Sequence, residues 1–188
     1  MLSKISNKLA QGLMKNVKEV RYDQEVYVYG FELVLSTLAC WTTIIIASIW
    51  LSDMLSGIVF ITVFSSLRIF AGGYHAESYS KCFCISNLFY LLVMVLKNLL
   101  SEVRVSIWLV LFAGCVVYII KKAPIINPNQ PIGEEKRRMC RQNIKRVLGV
   151  DIIVVLICTV LNRDIANLMI LSIALVTVLM LISDKHTT

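Results

Sequence analysis

A series of long apolar runs is the feature that most constrains the fold of this chain. Their approximate bounds are 26–51, 54–72, 82–100, 105–120, 147–161 and 165–183. A helix needs about 20 mainly apolar residues to cross a bilayer, and most of these runs approach that length. The chain is 57% hydrophobic, which is more than a soluble domain of its size could bury. The sequence therefore predicts an all-α, polytopic membrane protein with about six transmembrane helices.

Residues 1–24 have the pattern of a helix that lies on the membrane surface. Ile5, Leu9 and Leu13 recur every four residues, with lysines on the flanks. This segment is too polar to span a bilayer, and it lacks the continuous apolar region and the cleavage site of a signal peptide. We therefore predict one integral membrane domain, residues 1–188, that begins with an interfacial amphipathic helix.

The distribution of Lys and Arg predicts the orientation of the chain. Cytoplasmic loops carry an excess of these residues. If successive runs cross the membrane in alternating directions, 16 of the 19 Lys and Arg residues lie on one side. Lys97, Arg104 and Arg163 are the exceptions. Both termini and the basic loop 121–146 are thus predicted to be cytoplasmic, in a multi-pass protein of the cell membrane. This distribution also accounts for the net charge of +7, so no nucleic-acid partner is predicted.

A polar break between the second and third runs, RIFAGGYHAESYSKCFC at residues 68–84, concentrates reactive side chains. His75 and Cys82 would form a base and a nucleophile if they came within roughly 2.6–3.2 Å. On one continuous helix their spacing separates them by about 10.5 Å along the axis, so the chain must turn between them. Two serines in the break favour such a turn. Cys84 is the competing nucleophile, since it lies about 200° from Cys82 around a helix and only one of them can face the histidine.

Four further residues have both a functional and a structural interpretation. Gly72 and Gly73 allow unusual backbone angles or a close approach to a substrate, but glycine pairs also pack membrane helices. Arg68 could neutralise a carboxylate or hold a substrate carbonyl, or it could be an interfacial arginine. Glu32 lies inside the first run, where it could orient His75 or stabilise its cationic form, or be a packed, protonated glutamate.

The basic loop 121–146 contains all three prolines and a cluster of cations. The prolines exclude a regular helix through its first half, whereas the second half could be a basic helix from Glu134 onward. Lys136, Arg137 and Arg138 could contact anionic lipid, as a topology determinant, or dock an acidic peptide. We interpret the six cysteines as free thiols and predict neither a metal nor a cofactor.

The stretch RIFAGGYHAESYSKC, residues 68–82, resembles the signature of the accessory gene regulator B family. These proteins are membrane cysteine endopeptidases of Gram-positive bacteria that process quorum-sensing propeptides. The amphipathic start and the pattern APIINPNQPI followed by EEKRR extend the resemblance along the chain. The resemblance implies that Cys82 is the nucleophile and His75 its general base, with Arg68 and Gly73 at functionally sensitive positions.

The resemblance also implies a reaction and a set of partners. The expected substrate is a propeptide with an amphipathic leader, a central signal segment and an acidic C-terminal tail. The enzyme would cut before the tail and hold the signal segment as a thioester, which an internal nucleophile of the peptide converts into a thiolactone or lactone. Membrane lipid and a second copy of the chain, in a homodimer, are the other expected partners. Cys84 departs from the family pattern as an additional thiol, and the catalytic role of Glu32 is our inference from the sequence alone.

A non-catalytic peptide exporter or channel is the alternative hypothesis. Glu32 and the glycine-containing break could line a path across the membrane. Such a protein would tolerate Cys82→Ser or His75→Gln, whereas a peptidase would lose cleavage with either substitution. The sequence contains no internal repeat of the kind found in many transporters, which favours the peptidase.

Overall fold

Seven helices form the regular structure of the computed structural model, which describes residues 2–16, 23–72, 79–125 and 133–185. The helices are α1 (Leu2–Asn16), α2 (Gln24–Trp50), α3 (Met54–Ala71), α4 (Tyr79–Leu99), α5 (Val105–Lys122), α6 (Glu134–Leu161) and α7 (Arg163–Lys185). Helices α2 to α7 correspond to the six apolar runs, in order. The prediction of an all-α polytopic membrane protein is confirmed.

Five of the described helices, α2, α3, α4, α5 and α7, are long and apolar enough to cross a membrane. Helix α6 is different because Lys145, Arg146 and Asp151 lie within it. It continues without interruption from the predicted basic helix into the fifth apolar run, over 28 residues. A helix of that length extends about 42 Å, against roughly 30 Å for the hydrocarbon core of a bilayer. Its basic N-terminal half therefore extends beyond the apolar part of the bundle.

The N-terminal helix α1 packs against α2 through small side chains. Ser6 and Ala10 are fully buried in this contact, whereas Ile5, Leu9 and Leu13 are exposed. The apolar side predicted from the sequence thus faces away from the bundle. Such a helix can place its apolar side in the interfacial region of a bilayer while the lysines stay in water.

Helix α7 is central to the bundle. It packs against α3, α4, α5 and α6, and every residue from 166 to 173 is buried. A helix that is apolar around its whole circumference is expected to be surrounded by other helices. Phe60 of α3 and Tyr90 of α4 add a ring contact, with centroids 5.3 Å apart, that joins these two helices beside it.

Contacts between helix ends show that α3, α5 and α7 finish on the same side of the bundle. Lys122 at the end of α5 pairs with Asp184 at the end of α7, at 2.7 Å. The backbone N–H of Ile125, just after α5, donates to the carbonyl of Ala71 at the end of α3, at 2.9 Å. The polar break and the basic loop therefore start on one side, as the alternation of the predicted spans requires.

On the opposite side, two of the three exceptional basic residues have polar partners. Lys97 Nζ donates to Asp53 Oδ2 at 2.8 Å and to Ser56 Oγ at 2.9 Å, and Arg163 donates to the carbonyl of Val103. Partial burial acts to raise the pKa of Asp53, but its hydrogen bonds with Lys97 and Ser56 hold it below the usual value. The paired carboxylate neutralises Lys97, which explains how this cation is accommodated in an apolar helix.

Candidate active site

A small cleft between α3, α4 and α7 brings Cys82 and Arg68 together. The side chains that line it are Phe64, Arg68, Cys82, Ile85, Ser86, Phe89 and Leu179. The four residues from α4 recur every three or four positions, so they share one face of that helix. The two from α3 are one turn apart. Two of the residues singled out from the sequence thus meet in a cleft whose other walls are mainly apolar.

The guanidinium of Arg68 lies where it can stabilise negative charge in this cleft. Its Cζ is 5.8 Å from the centroid of the Phe64 ring, a cation–π arrangement. Cys82 lines the same cleft, so the guanidinium would act favourably on negative charge at its sulfur. A cation in this position suits a thiolate on Cys82, or an oxyanion that forms beside it.

The two neighbouring cysteines of α4 have different environments. Cys82 is half-buried and lines the cleft, whereas Cys84 is exposed. Both follow Tyr79, the first residue of α4, so they lie on a regular helix and point in directions about 200° apart. Of the two, Cys82 is the one next to Arg68.

Gly72 ends α3 in a conformation that favours glycine. Its φ is +70° and its ψ is −151°, a region that other residues rarely adopt. A Cβ atom at this position would lie 2.3 Å from the carbonyl oxygen of Ile125. The close approach that the structure shows is to the loop after α5, and a role of Gly72 towards a substrate stays a prediction. Gly73 and His75 lie outside the described residues, so their roles stay predictions.

Glu32 lies beside the start of α4. Its half-buried side chain interacts with the hydroxyl of Tyr79, three residues before Cys82. Glu32 is not among the residues that line the cleft. The packing of α2 against α4 therefore brings it near the end of the polar break, while its catalytic role stays a prediction.

The basic cluster lies exposed at the start of α6. Lys136, Arg137 and Arg138 are all accessible, and Arg137 makes one ion pair with the exposed Glu134, at 3.7 Å. Exposed pairs of this kind are weak. The cluster therefore stays available to an anionic partner, whether lipid or peptide.

A family model described as accessory gene regulator B matches residues 5–181. The chain belongs to the accessory gene regulator B family. This finding confirms the resemblance seen in residues 68–82 and connects the AgrB-family chain to the processing of quorum-sensing peptides.

Named relatives come from clostridia. AgrB-like protein 2 of Clostridium perfringens (strain 13 / Type A) is 26% identical over 147 residues, which are 73% of this chain and 67% of the relative. An AgrB-like protein of Clostridium perfringens (strain SM101 / Type A) is 25% identical over 129 residues, 64% of this chain and 60% of the relative. An AgrB-like protein of Clostridium beijerinckii is 22% identical over 104 residues, 55% and 52% of the two chains. The last two matches span less than two thirds of the relatives' length. No solved structure matches the chain.

A polar group beside Ser86 of the cleft was not predicted from the sequence of this AgrB-family chain. Asn87 of α4 accepts a hydrogen bond from Thr43 of α2 at 2.8 Å, and the thiol of Cys40 lies near Ser86 and Cys82. Ser86 follows Cys82 by one helical turn, so the helical period could have identified it. Cys40 and Asn87 could not be identified in this way, because their proximity depends on how α2 and α4 pack.

Asp151 of α6 is a buried carboxylate that does not line the cleft. Its exposed fraction is 7%, and its Oδ2 atom has no hydrogen-bond partner in the described structure. Arg146, five residues earlier on the same helix, is exposed and donates to Asn143 at 3.4 Å. A buried carboxylate oxygen without a partner reduces stability, because the solvation lost on folding is not replaced.

Replacing Asp151 should therefore stabilise the protein. We expect Asp151→Leu to raise the free energy of unfolding by about 1–3 kcal/mol and to raise the midpoint of thermal unfolding in detergent. Asp164→Leu is the matched control, since Asp164 is exposed at the start of α7, and it should change the midpoint little or lower it. A lower midpoint for Asp151→Leu than for wild type would contradict this prediction.

Proposed function

We propose that this AgrB-family protein is a membrane cysteine endopeptidase that removes the acidic C-terminal tail of a propeptide and cyclises the signal segment. The observation that carries the proposal is the shared cleft of Cys82 and Arg68. Gly72 lies one turn after Arg68, and Tyr79 lies three residues before Cys82. The short connection that contains His75 therefore joins two helix ends that flank the cleft, which supports its role as the base.

The chemistry follows from the residue types. His75 takes the proton of the Cys82 thiol, and the sulfur attacks the carbonyl carbon that precedes the acidic tail. Arg68 stabilises the negative charge on the carbonyl oxygen of the tetrahedral intermediate. The C–N bond then breaks, the proton passes from His75 to the leaving amine, and the signal segment remains as a thioester on Cys82. A thiol or hydroxyl of the peptide next attacks the thioester, which closes the ring and releases the Cys82 thiol.

The walls of the cleft favour cyclisation over hydrolysis. Phe64, Phe89 and Leu179 present apolar surface beside Cys82, and apolar surface excludes water from the thioester. An internal nucleophile of the peptide is held near the thioester at a high effective concentration. Ring closure can then be faster than attack by water.

Two exposed surfaces suit the two ends of the propeptide. The amphipathic leader can lie in the same interfacial plane as the exposed apolar side of α1. The cations Lys136, Arg137 and Arg138 can attract the acidic tail.

By the positive-inside rule this side of the bundle is cytoplasmic, so the site and both termini face the cytoplasm. We also propose that the protein acts as a homodimer, as the family resemblance implies, and that Glu32 orients His75 or stabilises its cationic form.

The decisive experiment uses membranes that contain the full-length protein and a synthetic propeptide. Mass spectrometry should detect the released acidic tail, together with protein whose mass has increased by that of the signal segment. Hydroxylamine should remove the added mass, because it cleaves thioesters. Intact propeptide that accumulates inside sealed vesicles, with neither tail nor adduct formed, would instead identify a non-catalytic exporter.

A further inference from the structure

Ser86 supplies a hydroxyl to the cleft that contains Cys82 and Arg68. The remaining side chains that line this cleft in the described structure are apolar. The proposed reaction gives roles to Cys82 and Arg68, whereas Ser86 has none in it. A hydroxyl in a mainly apolar wall can form a strong hydrogen bond with a polar group of a bound substrate, because little water competes for it.

The spacing of Ser86 and Cys82 places the hydroxyl one turn from the sulfur. Both residues lie on the regular helix α4, four positions apart, so their side chains share one face. The Cβ atoms of residues with this spacing are about 5–6 Å apart. A carbonyl group that is bonded to the Cys82 sulfur fits between them, with its oxygen in reach of the hydroxyl. Because Arg68 lines the same cleft from α3, donors from two helices can reach one oxygen.

The hydroxyl of Ser86 is not used by its own helix. Ser and Thr hydroxyls inside helices often donate to a carbonyl one turn earlier, as those of Thr62 and Ser172 do. Within the part of the chain that the structure describes, Ser86 makes no such bond with the carbonyl of Cys82. Its O–H can therefore turn towards the cleft.

A polar group from α2 and α4 orients this hydroxyl. The amide of Asn87 is fixed, since its oxygen accepts from Thr43 at 2.8 Å and its nitrogen donates to the carbonyl of Phe83 at 2.8 Å. The same nitrogen lies 3.9 Å from the sulfur of Cys40, which accepts a weak hydrogen bond from it. The Cys40 thiol lies beside Ser86, so its S–H can donate to the Ser86 oxygen. The O–H of Ser86 then points away from Cys40.

We propose that Ser86 is a catalytic residue whose hydroxyl donates a hydrogen bond to the oxyanion formed when Cys82 attacks the substrate carbonyl. This proposal rests on the proposed function. As the sulfur bonds to the carbonyl carbon, the π electrons of the C=O bond move to the oxygen, which accepts from Ser86 and pairs with Arg68. Ser86 keeps its proton while the C–N bond breaks and the C=O bond re-forms. The same hydroxyl serves the second oxyanion, which forms when the peptide nucleophile attacks the thioester. Cys40 is a positioning residue that acts through Ser86.

Ser86→Ala tests the catalytic role, because it removes one oxygen atom and leaves a residue that favours the helix. Loss of one donor to an oxyanion usually reduces kcat by about 10²- to 10³-fold. Since Arg68 remains, we expect kcat for tail release to fall roughly 10- to 100-fold, with KM changed less than about threefold. Ser86→Thr keeps the hydroxyl and should recover most of the rate. A Ser86→Ala protein with kcat within about threefold of wild type would overturn the proposal.

The reaction of Cys82 with iodoacetamide separates this role from a structural one. The sulfur attacks a saturated carbon in that reaction, so no carbonyl oxygen becomes an oxyanion. Ser86→Ala should therefore be alkylated at Cys82 as fast as wild type, although it cleaves slowly. If alkylation slows as much as cleavage does, Ser86 acts on the thiolate or on the shape of the cleft, and the oxyanion role is rejected.

Ser172→Ala is the matched control for the loss of a hydroxyl. Ser172 is buried in α7, donates to the carbonyl of Leu168 and is not among the residues that line the cleft. This variant should cleave like wild type. If wild type and Ser172→Ala both fail to release the tail, the proposed function is wrong. If both release it and Ser86→Ala is equally fast, only the role of Ser86 is wrong.

A double-mutant cycle tests whether Cys40 acts through Ser86. Cys40→Ala leaves the hydroxyl in place but removes the group that orients it, so kcat should fall only about 3- to 10-fold. In the Ser86→Ala background the same substitution should cause no further loss, because no hydroxyl remains to be oriented. Full additivity of the two losses would overturn the positioning role of Cys40.

Discussion

Replacing Cys82 with alanine is expected to abolish release of the acidic tail, with a loss of at least about 10³-fold in rate. The reason is that no other sulfur lines the cleft beside Arg68 in the described structure. The covalent adduct on the protein should disappear together with the cleavage. Tail release is measured by mass spectrometry on full-length protein in membranes, at equal amounts of wild type and variant.

Cys84→Ala is the matched control for this prediction. Cys84 is two residues away on the same helix and is exposed, so its loss should leave the rate within about threefold of wild type. Loss of cleavage in Cys84→Ala, with cleavage retained in Cys82→Ala, would show that the additional thiol is the nucleophile. His75→Gln should behave like Cys82→Ala, whereas an exporter would tolerate both substitutions.

The sequence was sufficient to predict the helices, because their formation depends on local apolar patterning. Each apolar run became a helix, and α1 exposes the residues that its helical period selects, Ile5, Leu9 and Leu13. The same period predicts that Cys82 and Cys84 point in different directions. These features depend only on the spacing of residues along one helix, and that spacing can be read directly from the sequence.

The remainder of the site depends on packing between distant segments. The wall formed by Leu179 lies almost 100 residues from Cys82 in the sequence, and the hydrogen bond between Ile125 and Ala71 joins segments more than 50 residues apart. The continuity of α6 also differs from the sequence prediction, which treated the basic segment and the fifth apolar run as separate elements. Charged residues interrupt the apolar pattern there without interrupting the helix, since Lys and Arg have good helix propensity.

The location of Arg68 bears on its two interpretations, and its role stays a prediction. An interfacial arginine extends its charge towards water or lipid headgroups. Here the guanidinium instead lies over Phe64 and lines the cleft with Cys82. This geometry favours a role in which the cation stabilises charge that develops during the reaction.

Arg68→Gln is therefore expected to reduce kcat for tail release by about 10²- to 10³-fold, the usual effect of removing one stabiliser of an oxyanion. Arg68→Lys should recover only part of the loss, because lysine keeps the charge but lacks the planar guanidinium that stacks on Phe64. Arg104→Gln is the control, since Arg104 is exposed at the start of α5 on the opposite side of the bundle.

Alkylation of Cys82 by iodoacetamide distinguishes two roles of Arg68. The reaction slows in Arg68→Gln if the cation stabilises the thiolate, and its rate is unchanged if the cation stabilises only the oxyanion. A folded Arg68→Gln protein with kcat within threefold of wild type would show that Arg68 is an interfacial arginine after all.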